Sequence, residues 1–335
     1  MEVTAVAPGR VNLIGDYTDI AGGLVLPMAV DLATTVTGRR GGTEIYLTSA
    51  DQPEPARVVL SVEDPAGAEP RWARYVAGVV AQLRPAFGFT GQITTTLPVG
   101  AGLSSSAALE VSVALALGFD GTPLELARLT QRAEQEASGV PCGIMDQLAS
   151  AAGVDGHALL IDCHTLEVDP VGVPDDVEVR VIHSGQEREL ASSAYAERIA
   201  SVRAAEEVVG PLRLISDVGD LGPLASMADG LLTRRARHVV TENARVRRAV
   251  EALRAGDLAE MGRAMIDSHR SLREDFEVST PVLDALVDRL TATPGVYGAR
   301  LTGAGFGGCV VALAEPGALR DGWAVRASAG ARIVA

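Results

Sequence analysis

Three cysteines in 335 residues, Cys142, Cys163 and Cys309, are too few for a disulfide framework, and no CxxC pair suggests a zinc site. Aromatic residues are scarce at 4%, so a core drawn from the abundant Ala, Val and Leu is mainly aliphatic. Positive charge is in deficit. Twenty-nine basic side chains face 43 acidic ones, a formal charge of −14, which argues against broad binding to nucleic acid or anionic membranes. A nucleotide can still be held locally, through helix ends and a divalent metal. No apolar run reaches the length of a membrane span. The first residues, Met1-Glu2-Val3-Thr4-Ala5-Val6-Ala7-Pro8, lack the basic and apolar regions of a signal peptide, and a reducing, cytoplasmic location is expected. With 47% hydrophobic and 21% charged residues the chain is ordinarily globular, and its length suggests about two domains.

What the chain does have is glycine in telling places. Residues 98–109 read Pro-Val-Gly-Ala-Gly-Leu-Ser-Ser-Ser-Ala-Ala-Leu. A β-like run at 92–97 leads in and a run of helix formers at 107–117 leads out. Glycines let backbone N–H groups crowd around a ligand, and a helix N-terminus attracts anions, phosphate above all. No Gly-Lys-Ser/Thr ends the loop, so it is not a Walker A motif. A serine-capped strand-to-helix turn would read the same way. Earlier, residues 10–23 crowd Arg10, Asn12, Asp16, Tyr17, Thr18 and Asp19 between glycines. Such a cluster suits a polyhydroxyl ligand, since carboxylates accept from hydroxyls and arginine donates; a polar turn with Asx caps is the alternative. A second glycine-rich loop, at 302–308, lies far along the chain and could close over the first.

Between these loops the pattern predicts a strand at 3–7 broken by Pro8-Gly9, and strands of a hairpin or meander at 24–30 and 34–39. Further strands are expected at 44–48 and 57–60, with a surface loop over 51–70. Residues 72–83 have helical periodicity, with Trp72 expected in the core and a place near the adenine as the alternative. Residues 123–138 form a helix with Thr122 as N-cap, Pro123 opening it and Gly139 after its end. Asp146 follows in an apolar setting, either as a buried carboxylate that needs a partner such as Arg10 or as a helix N-terminal charge. A strand at 156–162 precedes a stretch rich in Pro and acid at 170–178, the expected domain boundary. Beyond it come a strand at 177–183 and helices at 188–209, 232–253 and 257–271. Arg234, Arg235, Arg237 and His238 read as a solvated face. Strands at 296–301 and 310–313 flank the second glycine loop, and a last strand lies near 323–327.

Taken in order, residues 10–23, 98–109 and 301–309 resemble the three motifs of the GHMP small-molecule kinases, and most closely those of its galactokinase branch. The first motif is similar to Gly-Arg-Val-Asn-Leu-Ile-Gly-Glu-His-Thr-Asp-Tyr-Asn-Gly-Gly. Residues 141–147, Pro-Cys-Gly-Ile-Met-Asp-Gln, match a further segment. So do residues 72–79, 191–195, 234–240 and 268–273, and the resemblance covers nearly the whole chain.

The resemblance implies an α/β (α+β) two-domain fold, with a ribosomal-protein-like N-terminal domain over 1–172 and a ferredoxin-like C-terminal domain over 173–335. The active site would lie in the cleft between them. It implies transfer of the γ-phosphoryl of ATP to the anomeric hydroxyl of galactose. The alternatives are another monosaccharide or uronic acid, or a non-catalytic sugar sensor. By position Asp146 is the catalytic carboxylate and Arg10 its partner. The backbone of Gly100, Ala101, Gly102, Leu103, Ser104, Ser105 and Ser106 would cradle the phosphates. Mg²⁺ would be held by Ser106 and Glu134, with Glu136 close enough to compete for the second place. Asp16, Tyr17, Asp19, Gly143 and Tyr195 would meet the sugar. The expected partners are a small sugar and ATP, with no nucleic acid and no membrane, in a monomer or weak homodimer. The family's Glu-His-Thr-Asp is Asp16-Tyr17-Thr18-Asp19 here, so the departures fall on the sugar side and not on phosphoryl transfer. Residues 186–189, Gln-Glu-Arg-Glu, also depart from the family's Asn-Val-Arg-His.

Overall fold

The computed structural model describes residues 2–98, 101–187, 191–225, 227 and 230–334. Strand β1 (Glu2–Asn12) does not stop at Pro8-Gly9 as expected; it runs through with a register shift between Pro8 and Arg10. The proline has no N–H to offer the ladder, and a bulge absorbs it. The Pro8 carbonyl accepts from Ser150 Oγ at 2.7 Å, and Arg10 N donates to Leu103 O at 3.0 Å. The bulge thereby aims Arg10 at the glycine loop. Gly9 is needed there, since a Cβ would meet the Leu103 carbonyl oxygen at 2.5 Å.

The expected hairpin over 24–39 is also corrected. Residues Leu24–Val25 form a short β2, and Pro27–Arg40 form one unbroken β3 that pairs with β1 along its length. Strands β4 (Glu44–Ser49), β5 (Ala56–Val59) and β6 (Phe89–Thr95) complete a six-stranded sheet with β13 (Arg332–Ile333), in the order β13-β1-β3-β6-β4-β5. Helices α1 (Ala73–Leu83), α2 (Ser105–Ala116), α3 (Pro123–Ser138) and α4 (Met145–Ala152) pack with one another and against this sheet. Helix α3 begins as read. Thr122 Oγ1 accepts from Glu125 N, the Glu125 carboxylate accepts from Thr122 N, and Gly139 ends the helix in the left-handed region.

Strands β7 (His157–Asp162) and β8 (Val168–Gly172) form a small sheet with β2, in which β8 is an edge strand and so tolerates Pro170. The later part of the chain builds a four-stranded sheet, β10-β11-β9-β12, from β9 (Glu178–His183), β10 (Val296–Thr302), β11 (Cys309–Ala314) and β12 (Trp323–Val325). Helices α5 (Ala191–Val209) and α6 (Leu231–Ala255) pack on each other, α6 also packs against α7 (Leu258–Glu274), and α7 and α8 (Pro281–Thr291) pack against this sheet. One apolar cluster joins Val11, Leu13 and Met28 of the first part to Val179, Val181, Val246 and Met265 of the second. The two parts therefore meet across packed side chains.

The basic run on α6 is not wholly a solvated face. Arg235 and His238 are buried. Arg235 donates to the Asp275 carbonyl and the Glu277 carboxylate. His238 bonds Ser271 Oγ at 2.9 Å and the Asp16 carbonyl at 3.0 Å. Trp72 is half-buried against the first core, with its indole N–H on the Glu54 carbonyl at 3.1 Å. Among the described residues no helix is long and apolar enough to cross a membrane.

Candidate active site

A cleft of about 750 Å³ collects every site residue expected from the sequence that the structure describes. Arg10, Asp16, Tyr17, Asp19, residues 101–106, Glu134, Gly143, Asp146 and Tyr195 all line it; Gly100 lies outside the described residues. From the second sheet come Gly303 and Ala304 of the later glycine loop, together with His183 and Glu187.

Asp146 sits in the first turn of α4, so it is both a helix N-terminal charge and a partner of Arg10. The pair is bidentate. Arg10 Nε donates to Asp146 Oδ1 at 2.7 Å and Arg10 Nη2 to Oδ2 at 2.5 Å. Arg10 Nη1 donates to the Gly102 carbonyl at 2.9 Å, and Ser104 Oγ donates to Asp146 Oδ2. One guanidinium thus fixes the carboxylate and the loop together. The fork geometry suits arginine, not a point charge, and the chain contains no lysine at all. Ser104 adopts φ +56°, the left-handed region, just before α2 begins at Ser105.

Behind the loop, Ser106 Oγ donates to Glu134 Oε1 at 2.9 Å. Gln147 Nε2 donates to the other Glu134 oxygen and reaches Glu110 Oε2 at 3.4 Å. Burial, with Asp146 adding, pushes the Glu134 carboxyl up to about 7. Glu110 is fully buried, and burial and Glu134 push its carboxyl well above the ordinary range. Glu136 points away, exposed, with Gln82 donating to it at 2.6 Å. Of the two acids left open by the sequence, Glu134 is the one in the cleft.

On the opposite wall, burial and the charges of Asp146 and Asp16 push Asp19 up to about 7. Gly143 has no room for a side chain, because a Cβ there would strike the Asp19 carboxylate. Asp16 pairs with Arg300, a side chain that is completely buried. Tyr17 lies between Phe276, 4.4 Å away by ring centroids, and Tyr195 at 5.5 Å. Burial pushes the Tyr195 phenol well above its ordinary value.

Several of these partners escaped the sequence reading. Arg300 looked like an interior position of an expected strand, and Gln147 passed as part of a matching segment. His183 ends β9, and its Nδ1 accepts from Gly185 N at 3.0 Å, leaving Nε2 to carry the proton. Gln186 binds the second glycine loop, its carbonyl accepting from Gly308 N at 2.9 Å.

Known proteins resemble this arrangement along the whole chain. Family models described as GHMP kinases N terminal domain, GHMP kinases C terminal and Galactokinase galactose-binding signature match residues 74–154, 249–324 and 1–40. The galactokinase of Homo sapiens is 44% identical over 333 residues, 95% of this chain and 85% of its own length. That of Chloroflexus aurantiacus is 42% identical, over 96% of this chain and 88% of its own. The structure of Lactococcus lactis galactokinase complexed with galactose superposes with a TM-score of 0.88 at 31% identity, covering 99% of this chain and 95% of that one. Methanococcus jannaschii mevalonate kinase shares the fold, with a TM-score of 0.68 at 21% identity over 94% of this chain and 91% of that one. With these matches over nearly its full length, the chain belongs to the GHMP kinases, in their galactokinase family, and has their two-domain fold.

Proposed function

We propose that the protein transfers the γ-phosphoryl group of ATP to the anomeric hydroxyl of galactose, forming galactose 1-phosphate. The observation that carries this reading is Asp146, held bidentately by Arg10 at the mouth of the 98–106 loop, in the cleft that Asp19 and Tyr195 also line. The backbone N–H groups of the loop and the first turn of α2 supply donors for phosphate oxygens. Asp146 orients the attacking hydroxyl and accepts its proton as the new P–O bond forms and the bond to the leaving ADP breaks. A sugar hydroxyl is far less acidic than a carboxylic acid, so the proton moves late. Most of the acceleration then comes from positioning and charge neutralisation.

Ser106 and Glu134 fit a hard divalent cation. Both are oxygen donors, they are 2.9 Å apart, and they stand at the end of the phosphate loop. Mg²⁺ bound there would neutralise charge on the phosphates. Gln147 holds Glu134 from the far side.

For the sugar, Asp19, Tyr195 and the Gly143 backbone are the polar groups facing the cavity, with Asp16 and Tyr17 completing the wall. The ionised Asp19 carboxylate accepts from sugar hydroxyls. Since its carboxyl titrates near 7, protonation removes those acceptor sites as pH falls. At saturating Mg²⁺ and ATP, kcat/KM for galactose is expected to rise with pH through an inflection near 7. Asp19→Asn should remove that inflection and lower kcat/KM at high pH by about 10- to 100-fold, the range for a hydrogen bond to a charged group. An unchanged profile in the variant would assign the titration elsewhere.

The function itself is tested by ATP consumption over a panel of monosaccharides and uronic acids, with the phosphorylated carbon identified by ³¹P-coupled NMR. Galactose phosphorylated at C1 is the expected best substrate. Faster turnover of another sugar would overturn the acceptor, and no turnover of any would overturn the kinase.

A further inference from the structure

Asp16 and Tyr17 depart from the Glu-His of the galactokinase pattern, and both reach out of their own motif to one segment of the second sheet. Asp16 pairs with Arg300 on β10. Arg300 Nη1 also donates to the carbonyls of Asn12 at 3.2 Å and Leu13 at 3.4 Å, and Thr302 Oγ1 donates to Asn12 O at 3.1 Å. Tyr17 continues the series. Its phenol donates to the Ala304 carbonyl at 2.6 Å, just past the end of β10. Residues 12–17 and 300–304 are thus bound side by side, with Tyr17 at the end that faces the cleft.

Tyr17 is suited to hold something in place. It is 4% exposed, and it keeps φ +69°, a region that a residue with a bulky side chain seldom adopts. Its ring packs, tilted, against both Phe276 and Tyr195. Ala304, by contrast, sits between Gly303 and Gly305, with φ +79° and +71°. Glycines on both sides give this turn little stiffness of its own. Gly303 and Ala304 line the same cleft as the phosphate loop. An imidazole carries nothing beyond its ring and is shorter than a phenol, so the histidine of the family pattern would not reach Ala304.

We infer that Tyr17 is a positioning residue that couples sugar binding to nucleotide binding: its hydroxyl fixes the 303–305 turn over the cleft, with the Asp16–Arg300 pair as the fixed base beneath it. This rests on the sugar and phosphate placements given above. A sugar resting against the Tyr17 wall fixes the ring, the ring fixes Ala304, and the turn is then already in place for the nucleotide. Nucleotide binding must favour the sugar by the same factor.

The dissociation constant of galactose, measured by calorimetry with and without a saturating non-hydrolysable ATP analogue and Mg²⁺, tests the coupling in wild type and in Tyr17→Phe. The wild type should bind galactose about fivefold or more tightly with the analogue present, the lower end of ordinary coupling between sites. Tyr17→Phe keeps the ring and removes the hydroxyl that donates to the Ala304 carbonyl. Its ratio should fall below about twofold. Tyr17→His, which also fails to reach, should lose the ratio as well, and it carries the test if the Phe variant does not fold. An unchanged ratio in these variants, or equal weakening with and without the analogue, would overturn the inference, the latter marking Tyr17 as a direct sugar ligand. A wild type that binds galactose equally in both states overturns the coupling alone; one that binds none overturns the functional reading with it.

Discussion

Replacing Asp146 by asparagine is expected to lower kcat by about 10³-fold, within the range supplied by a positioned general base, while ATP still binds close to wild-type affinity. The side chains are nearly the same shape, so the loss is chemical. Asparagine cannot accept the sugar proton, and it turns one acceptor of a bidentate pair into a donor. Arg10 Nε and Nη2 and Ser104 Oγ all aim donors at Asp146. An amide can answer only some of them, and its nitrogen must face a donor or the cleft. The Arg10 guanidinium is 6% exposed and keeps its bond to the Gly102 carbonyl, so the phosphate loop remains anchored from that side. Single-turnover transfer from ATP to galactose separates the chemistry from binding. A variant rate within tenfold of wild type would remove Asp146 from the role of base.

The site is a concentration of acid in an already acidic chain. Asp16, Asp19, Glu110, Glu134 and Asp146 converge, and the cations described among them are Arg10 and Arg300, each taken by one carboxylate. Asp19, Glu110 and Glu134 are left without an arginine; burial and their neighbours push Asp19 and Glu134 up to about 7 and Glu110 well above the ordinary range. A carboxyl whose burial resists ionisation is stabilised in its charged form by a cation or a hydrogen-bond donor beside it. In the reading proposed above, Glu134 would meet the first of these and Asp19 the second. The same arithmetic explains why a protein of net charge −14 can handle a triphosphate. In the proposed reading the positive field would be local, supplied by helix N-termini, loop N–H groups and a divalent ion on Ser106 and Glu134, not by a basic surface.

Local chemistry was readable from the sequence and long-range pairing was not. Thr122, Glu125 and Gly139 mark both ends of α3 because caps act within a few residues. The glycine loops and the α6 and α7 helices were legible for the same reason. The bulge at Pro8 was not, because Pro-Gly marks a break equally well, and only Ser150 and Leu103, more than ninety positions away, show that the strand carries on. Arg235 and His238 looked like surface charges because their partners, Asp275, Glu277, Ser271 and the Asp16 carbonyl, lie on other elements. The pairing of Arg10 with Asp146 spans 136 positions. Neither residue's surroundings name the other; a buried acid's need for a cation made Arg10 one candidate, and family resemblance singled it out. Arg300 shows the limit most clearly, since nothing in a strand of Val, Tyr, Gly, Ala and Leu says that its one arginine is completely buried behind Asp16.

That enclosure makes Arg300→Met the most damaging single change expected for stability, at about 3–5 kcal/mol, the cost of leaving one half of a buried pair uncompensated. Methionine fills much of the volume and adapts to the gap, so a cavity contributes little. The cost lies with what is left behind. The Asp16 carboxylate, 3% exposed, loses its cation, and the Asn12 and Leu13 carbonyls lose a donor. His238 on the Asp16 carbonyl does not replace them, because its bond goes to the backbone. Removing the stranded charge should therefore restore stability. In the double variant Asp16→Asn with Arg300→Met, about 2 kcal/mol or more is expected to return, since much of the single-variant loss is the price of an unpaired buried charge. Urea unfolding of the four proteins of this cycle gives the coupling directly. Simple additivity would mean that water enters beside Asp16 once the arginine is gone, and that the pair contributes packing instead of charge balance. Recovery would instead identify the pair as the electrostatic tie between the first motif and β10.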